Sequence, residues 1–92
     1  MPGVEVNLPA SFEDVTGGRR RARVRGETVG AALSALEQRH PGLRPLLRTE
    51  SGELRPFILV FVNSEDIRSR QGEQTPLRDG DTLAIVPAVE GG

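Results

Sequence analysis

The sequence predicts an α+β domain: one main helix covering one face of a mixed sheet of four or five strands. Three observations carry that prediction. Two early segments alternate apolar and polar residues with period two. One later segment repeats apolar residues at helical spacing, and the C-terminal half adds further strand signals separated by tight turns. With 92 residues, 36% of them hydrophobic and 3% aromatic, the chain has room for one modest core of Val, Leu, Ile and Ala.

Val4-Glu5-Val6-Asn7-Leu8 alternates and reads as a half-buried strand. Pro9 closes it, because proline cannot donate to a continuing ladder. Ala10 to Gly18 reads as a loop with one large apolar residue, Phe12, and with Gly17-Gly18 as its turn. Arg19 to Arg25 alternates again, with Arg21, Arg23 and Arg25 on one face and Arg20, Ala22 and Val24 on the other. The two segments form a hairpin with a long loop.

Thr28 stands where an N-cap is wanted, ahead of a helix over residues 29–40. Val29, Ala32, Leu33, Leu36 and His40 make its stripe, and Pro41-Gly42 ends it. Leu43 to Pro56 is irregular, with one short helical turn at Pro45 to Arg48 and a loop tip at Ser51-Gly52-Glu53. Phe57 to Val62 is the strongest strand, apolar on both faces. Asn63 to Asp66 turns it, Ile67-Arg68 makes a short edge pairing, and Arg70 to Thr75 is a polar connection. Pro76 to Asp81 is a second tight turn, and Thr82 to Val86 is the last strand. A hairpin, a crossing helix and further strands make the β-grasp arrangement, in which the first and last strands can lie side by side. The expected organisation is a β-grasp domain over residues 1–86 and a flexible tail over residues 87–92.

Composition removes several function classes. The net charge of −1 argues against a dedicated nucleic-acid binder, which is normally markedly basic. No apolar run approaches the length of a membrane span, and Met1-Pro2-Gly3-Val4-Glu5 lacks the basic and apolar regions of a signal peptide. A cytoplasmic protein without a membrane partner is expected. There is no Cys, hence no disulfide, no Cys-ligated metal and no thiolate nucleophile. All twelve basic residues are Arg, which stays protonated and is a poor nucleophile. No side chain of one copy therefore accepts an acyl group from another copy's C-terminus.

The last six residues, Pro87-Ala88-Val89-Glu90-Gly91-Gly92, follow the final strand directly. Glycine has no Cβ, so a Gly-Gly terminus enters a slot too narrow for other residues. Six extended residues reach roughly 20 Å, enough to carry a carboxylate into a partner's active site. No residue beyond Gly92 is expected to need clipping first.

Val60-Phe61-Val62-Asn63, the turn Leu77-Arg78-Asp79-Gly80-Asp81, and Leu83-Ala84-Ile85-Val86-Pro87-Ala88-Val89-Glu90-Gly91-Gly92 together resemble the ending of the ubiquitin-like sulfur-carrier family. That family includes the small subunit of molybdopterin synthase, the thiamine-pathway sulfur carrier and the carrier of thiocarboxylate-dependent cysteine biosynthesis. The Thr28-Val29-Gly30 helix start matches as well, so the similarity spans the chain and is densest from Ile58 onward. The length, Asn63 to Arg68, Phe12, Gly17-Gly18 and Val86 to Val89 look most like the cysteine-biosynthesis carrier.

The resemblance implies that the Gly92 carboxylate, with Gly91 beside it, is adenylated by an ATP-using partner of the ubiquitin-activating type and converted to a thiocarboxylate. The sulfur acceptor would be a pyridoxal-phosphate-dependent cysteine synthase, with a metalloprotease releasing the product. In that role the chain is a protein co-substrate and not an enzyme; it binds no cofactor or metal itself, and ATP belongs to the partner. The small subunit of molybdopterin synthase and a ubiquitin-like modifier joined to lysines through Gly92 share the activation step and stay open.

Partner recognition is expected at an apolar row. Alternation puts Ile58, Val60 and Val62 on one face and Phe57, Leu59 and Phe61 on the other. The register of Asn63 within the resemblance turns Val60 and Val62 inward. Phe57, Leu59 and Phe61 then face away from the helix and join Pro87, Val89 and Glu90 as partner-binding residues. Alternatively, Phe57 or Phe61 closes a second small core under Leu43 to Arg55. The Arg19 to Arg25 run is either a basic patch for an acidic partner or phosphate, or a solvated face that guards an edge. His40 opposes the helix dipole and has no companions for a metal site. Asp79 and Asp81 read as turn chemistry rather than paired catalytic carboxylates.

Overall fold

The first and last strands of the chain pair in parallel at the centre of the sheet, and the other elements are arranged around that pairing. The computed structural model describes residues 1–88. Gly3–Asn7 (β1) runs antiparallel to Arg21–Arg25 (β2) on one side and parallel to Thr82–Pro87 (β5) on the other. Ile58–Val62 (β3) pairs antiparallel with β5, and the two-residue Glu65–Asp66 (β4) pairs with β3 at the far edge. The order is β2-β1-β5-β3-β4, the β-grasp arrangement that the element order predicts.

Strand side chains alternate between faces, so the apolar set of every strand meets on one side. Val4, Val6, Ala22, Val24, Ile58, Val60, Val62, Leu83 and Ile85 form the sheet's share of the core. The first helix, Glu13–Thr16 (α1), is short. The second, Val29–Arg39 (α2), lays Val29, Ala32, Leu33 and Leu36 on that face. Leu33, Leu36, Leu43, Leu47 and Leu83 are fully buried, each contributing about 1.5–3 kcal/mol of apolar transfer. The Thr28 hydroxyl accepts from the Ala31 amide at 3.2 Å, which is the predicted cap. His40 lies one residue beyond the helix as its C-cap, so the helix is one residue shorter than the stripe implies.

Several boundaries differ from expectation. The loop after β1 contains a 3-10 turn and α1, which Gly17 ends in the left-handed region at φ 68°. β2 begins at Arg21 rather than Arg19. The helical turn near residue 45 is Arg44–Leu47 (α3). The edge pairing is made by Glu65 and Asp66, while Ile67 is buried in a 3-10 turn. The reason is the tightness of the preceding turn. Asn63 and Ser64 both take positive φ, 48° and 75°, as a two-residue hairpin connection requires, so pairing resumes two residues earlier than a four-residue turn allows.

Candidate functional site

The residues that the tail depends on are positioned by three turn side chains. The Asp79 carboxylate accepts from the Gly3 amide at 2.8 Å, tying the turn to the start of β1. Gly80 has φ 91°, which a side chain would resist. The Asp81 carboxylate accepts from the Arg78 amide at 2.8 Å and from Asn63 Nδ2 at 2.9 Å, and Asn63 Oδ1 accepts from the Thr82 amide at 3.0 Å. The Asn63 and Asp-Gly-Asp elements of the resemblance are therefore clamps. They fasten the start of β5 to both neighbours and so aim its far end.

That far end emerges beside an apolar face. Val60 and Val62 point inward, 1% and 3% exposed, as the register of Asn63 predicts. On the opposite face Leu59 stands across from Val86 and Phe61 across from Ala84. Phe57 and Val86 are 39% and 41% exposed. Opposite residues on neighbouring strands are close enough to form one surface, so Phe57, Leu59, Phe61, Ala84 and Val86 make a continuous apolar row. Phe57 and Phe61 do not close a second core under the 43–55 segment; Leu43 and Leu47 of that segment enter the main core instead.

The base of the tail is part of the sheet. Pro87 pairs with Ile58, one residue beyond the predicted end of β5, and the Ala88 amide donates to the Phe57 carbonyl at 2.6 Å. The 57/88 bond and the Asn63 to Thr82 backbone bond fix the phase of the ladder. Pro87 falls where no amide is needed towards β3, and β1 has stopped pairing by then, at Ala84. Its missing N–H removes nothing from the sheet. Val89, Glu90, Gly91 and Gly92 lie outside the described residues.

Charge also helps to hold this geometry. The amide of Arg78, then the Asn63 side chain, holds the Asp81 carboxyl below the usual carboxylate range. The Arg68 guanidinium does the same for Asp66. Among the described residues no group of three or more His, Cys, Asp or Glu could hold a metal, and no helix is long and apolar enough to cross a membrane.

One cluster was not foreseen. Arg48 is only 7% exposed and donates through Nε to Glu37 at 2.7 Å, through Nη1 and Nη2 to Glu73 at 3.0 and 2.8 Å, and to the Gly52 carbonyl at 2.9 Å. Glu73, then Glu37, keeps its guanidinium charged above its ordinary value against the cost of burial. The cluster fastens α2 to the segments after α3 and before Thr75. Its signal in the sequence is Glu37, which falls four residues after Leu33 on the apolar stripe.

A β-grasp domain whose final strand runs past an apolar face places the chain among ubiquitin-like proteins. The ThiS family model matches residues 6–92. Sulfur carrier protein CysO of Mycobacterium tuberculosis (strain ATCC 25618 / H37Rv) is 38% identical over 91 residues, 97% of this chain and 98% of that protein. Small archaeal modifier protein 1 of Haloferax volcanii is 41% identical over 91 residues, 97% of this chain and 100% of that protein. A chain in the crystal structure of the Amycolatopsis orientalis BexX/CysO complex superposes with a TM-score of 0.88 at 40% identity, covering 97% of this chain and 99% of that one. This chain belongs to the ThiS family and is a ubiquitin-like sulfur carrier.

Proposed function

We propose that this sulfur carrier delivers sulfide for cysteine biosynthesis. The Gly92 carboxylate, a poor electrophile, is adenylated by an ATP-dependent partner of the ubiquitin-activating type. Sulfide then displaces AMP and leaves a terminal thiocarboxylate. Its sulfur passes to a pyridoxal-phosphate-dependent cysteine synthase, whose own cofactor does the carbon chemistry, and a metalloprotease releases the product. The chain contributes the reactive terminus and the surface by which partners hold it; it is a co-substrate, and ATP is consumed by the partner.

The observation that carries this reading is the near full-length likeness to the CysO carriers. The geometry supports it. The apolar row from Phe57 to Phe61 is joined through the Phe57–Ala88 bond to the base of the tail, so a partner bound on the row meets that base, at Ala88, in a fixed place. Gly91 lets the backbone approach a nucleotide closely, and a chain without Cys or Lys has no thiol or side-chain amine to intercept the activated acyl group.

A second reading is conjugation of Gly92 to lysines of other proteins, favoured by the likeness to small archaeal modifier proteins. Intact-mass analysis of the protein from its native cell separates the two. One terminal oxygen replaced by sulfur is the expected result. Gly92 found only in isopeptide bonds to lysines of other proteins would favour the modifier, and an unmodified terminus under sulfur demand would overturn both. Stable co-purification with one larger catalytic subunit would point to molybdopterin synthase instead.

A further inference from the structure

We propose that the edge of β2 is a second docking surface, which takes an extended acidic segment of a partner protein as an added strand. The proposal does not rest on the tail chemistry.

β2 is the outermost strand on its side of the sheet. The Arg20 carbonyl accepts from the Leu8 amide and the Pro2 carbonyl from the Gly26 amide. Those two bonds set the phase of the antiparallel ladder, so Arg20, Ala22, Val24 and Gly26 bond inward to β1. The amides and carbonyls of Arg21, Arg23 and Arg25 therefore point away from the sheet. Among the described residues no backbone group outside β1 bonds to them. The opposite edge, β4, has only two residues, whereas the five of β2 offer roughly 17 Å of ladder at about 3.3 Å per residue.

The side chains around this edge decide what fits. A groove of about 780 Å³ follows it, lined by Glu5, Arg19, Arg21, Ala22, Arg23, Arg39 and His40. It wraps the edge, with β2 on one wall and the end of α2 on the other. Four guanidinium groups face one carboxylate, which among the described residues pairs only with Arg21, at 3.9 Å. Arg19, Arg23 and Arg39 make no ion pair among the described residues. His40 Nε2, buried in the same wall, has no hydrogen-bond partner there either.

Arginines along an edge disfavour a neutral strand, which would desolvate them unpaired, and repel a cationic one, but they attract an acidic one. The alternating donors and acceptors of a free edge match a peptide backbone, which phosphate does not supply, and a net charge of −1 disfavours a polyanion. β2 lies two strands from β5, roughly 10 Å at about 4.8 Å per strand, so an occupant there leaves the apolar row and the tail open.

The test uses the full chain, labelled with ¹⁵N, and a synthetic peptide of alternating Val and Glu. Saturable shift changes are expected at Arg21, Arg23, Arg25, Arg39 and His40, with slower amide exchange at Arg21, Arg23 and Arg25. Residues 57–61 should stay unchanged. The double variant Arg21→Glu/Arg23→Glu should weaken binding by about tenfold or more, and Arg39→Glu, on the helix wall, should weaken it without touching the strand. The proposal is overturned by any of four results: no saturable binding; shifts on residues 57–61 instead; equal binding of a Val-Lys peptide; or inorganic phosphate or an oligonucleotide giving the same shifts without slowed exchange.

Discussion

At the scale of single residues, two positions carry more of the structure than their size implies. A Cβ on Gly26 would lie 2.6 Å from the Ala32 amide nitrogen and 2.9 Å from its Cα. Those are backbone atoms of α2 and cannot swing aside. Gly26→Ala should therefore push the end of β2 from the helix and cost about 1–3 kcal/mol, in the range of overpacked sites; a urea midpoint equal to wild type would refute the contact. Asp81 is the second. Its carboxyl is held below the ordinary aspartate value, so its contribution to stability is present above about pH 4 and is lost as the pH falls through its lower value in the fold. Urea midpoints measured from pH 7 to pH 2 should fall below pH 4, and Asp81→Asn should lower the midpoint at neutral pH and flatten that fall. Parallel curves for the two proteins would remove Asp81 from the account.

At the scale of elements, α2 was legible almost to the residue, and the segment after it only in part: its helical turn and loop tip were readable, its long-range anchors were not. Thr28, the stripe and Pro41 are local signals that a helix cannot ignore. Residues 43–56 lack periodicity because one antiparallel bridge, between Arg48 and Leu54, a few turn bonds and long-range side-chain contacts hold them instead of a regular element. Arg48 reaches Glu37 and Glu73 from eleven and twenty-five residues away, and no spacing rule anticipates that. Glu37 is 6% exposed, so removing its partner leaves a buried carboxylate with only Arg44, at 3.2 Å. Arg48→Met should cost about 3–5 kcal/mol, as broken buried pairs do. Adding Glu37→Leu should restore much of the loss, since an apolar pair of similar volume has no charge to desolvate. A double variant less stable than the single one would show that the cluster contributes more than mutual compensation.

At the scale of the molecule, the sheet serves as a mount for the end of β5. Asp79, Asp81 and Asn63 fasten the strand's start to β1 and β3, and the Ala88 amide fastens its end to Phe57. Under the proposed function, Phe61→Ala should leave the fold intact, because Phe61 lies on the face away from α2, and should weaken adenylation of Gly92 by the activating partner through KM. Unchanged adenylation kinetics would move the docking surface elsewhere. The apolar row was legible because β3 is apolar on both faces and only one face can meet the helix. The bond that joins the row to the tail was not, since it depends on the register of β5 against β3.

The sequence by itself determined the main helix and the four long strands, the inward sets of the first three of them, the helix cap and the Gly-Gly ending, because these follow from periodicity and from what Pro, Gly and Thr permit locally. Only the tertiary structure decided which turn residues act as clamps, where Arg48 finds its partners and how far β5 runs beyond Val86. It also decided that the Arg21, Arg23 and Arg25 backbone faces outward. Each of those depends on contacts between residues distant in the chain, whose geometry is set by strand order and register and not by any local pattern.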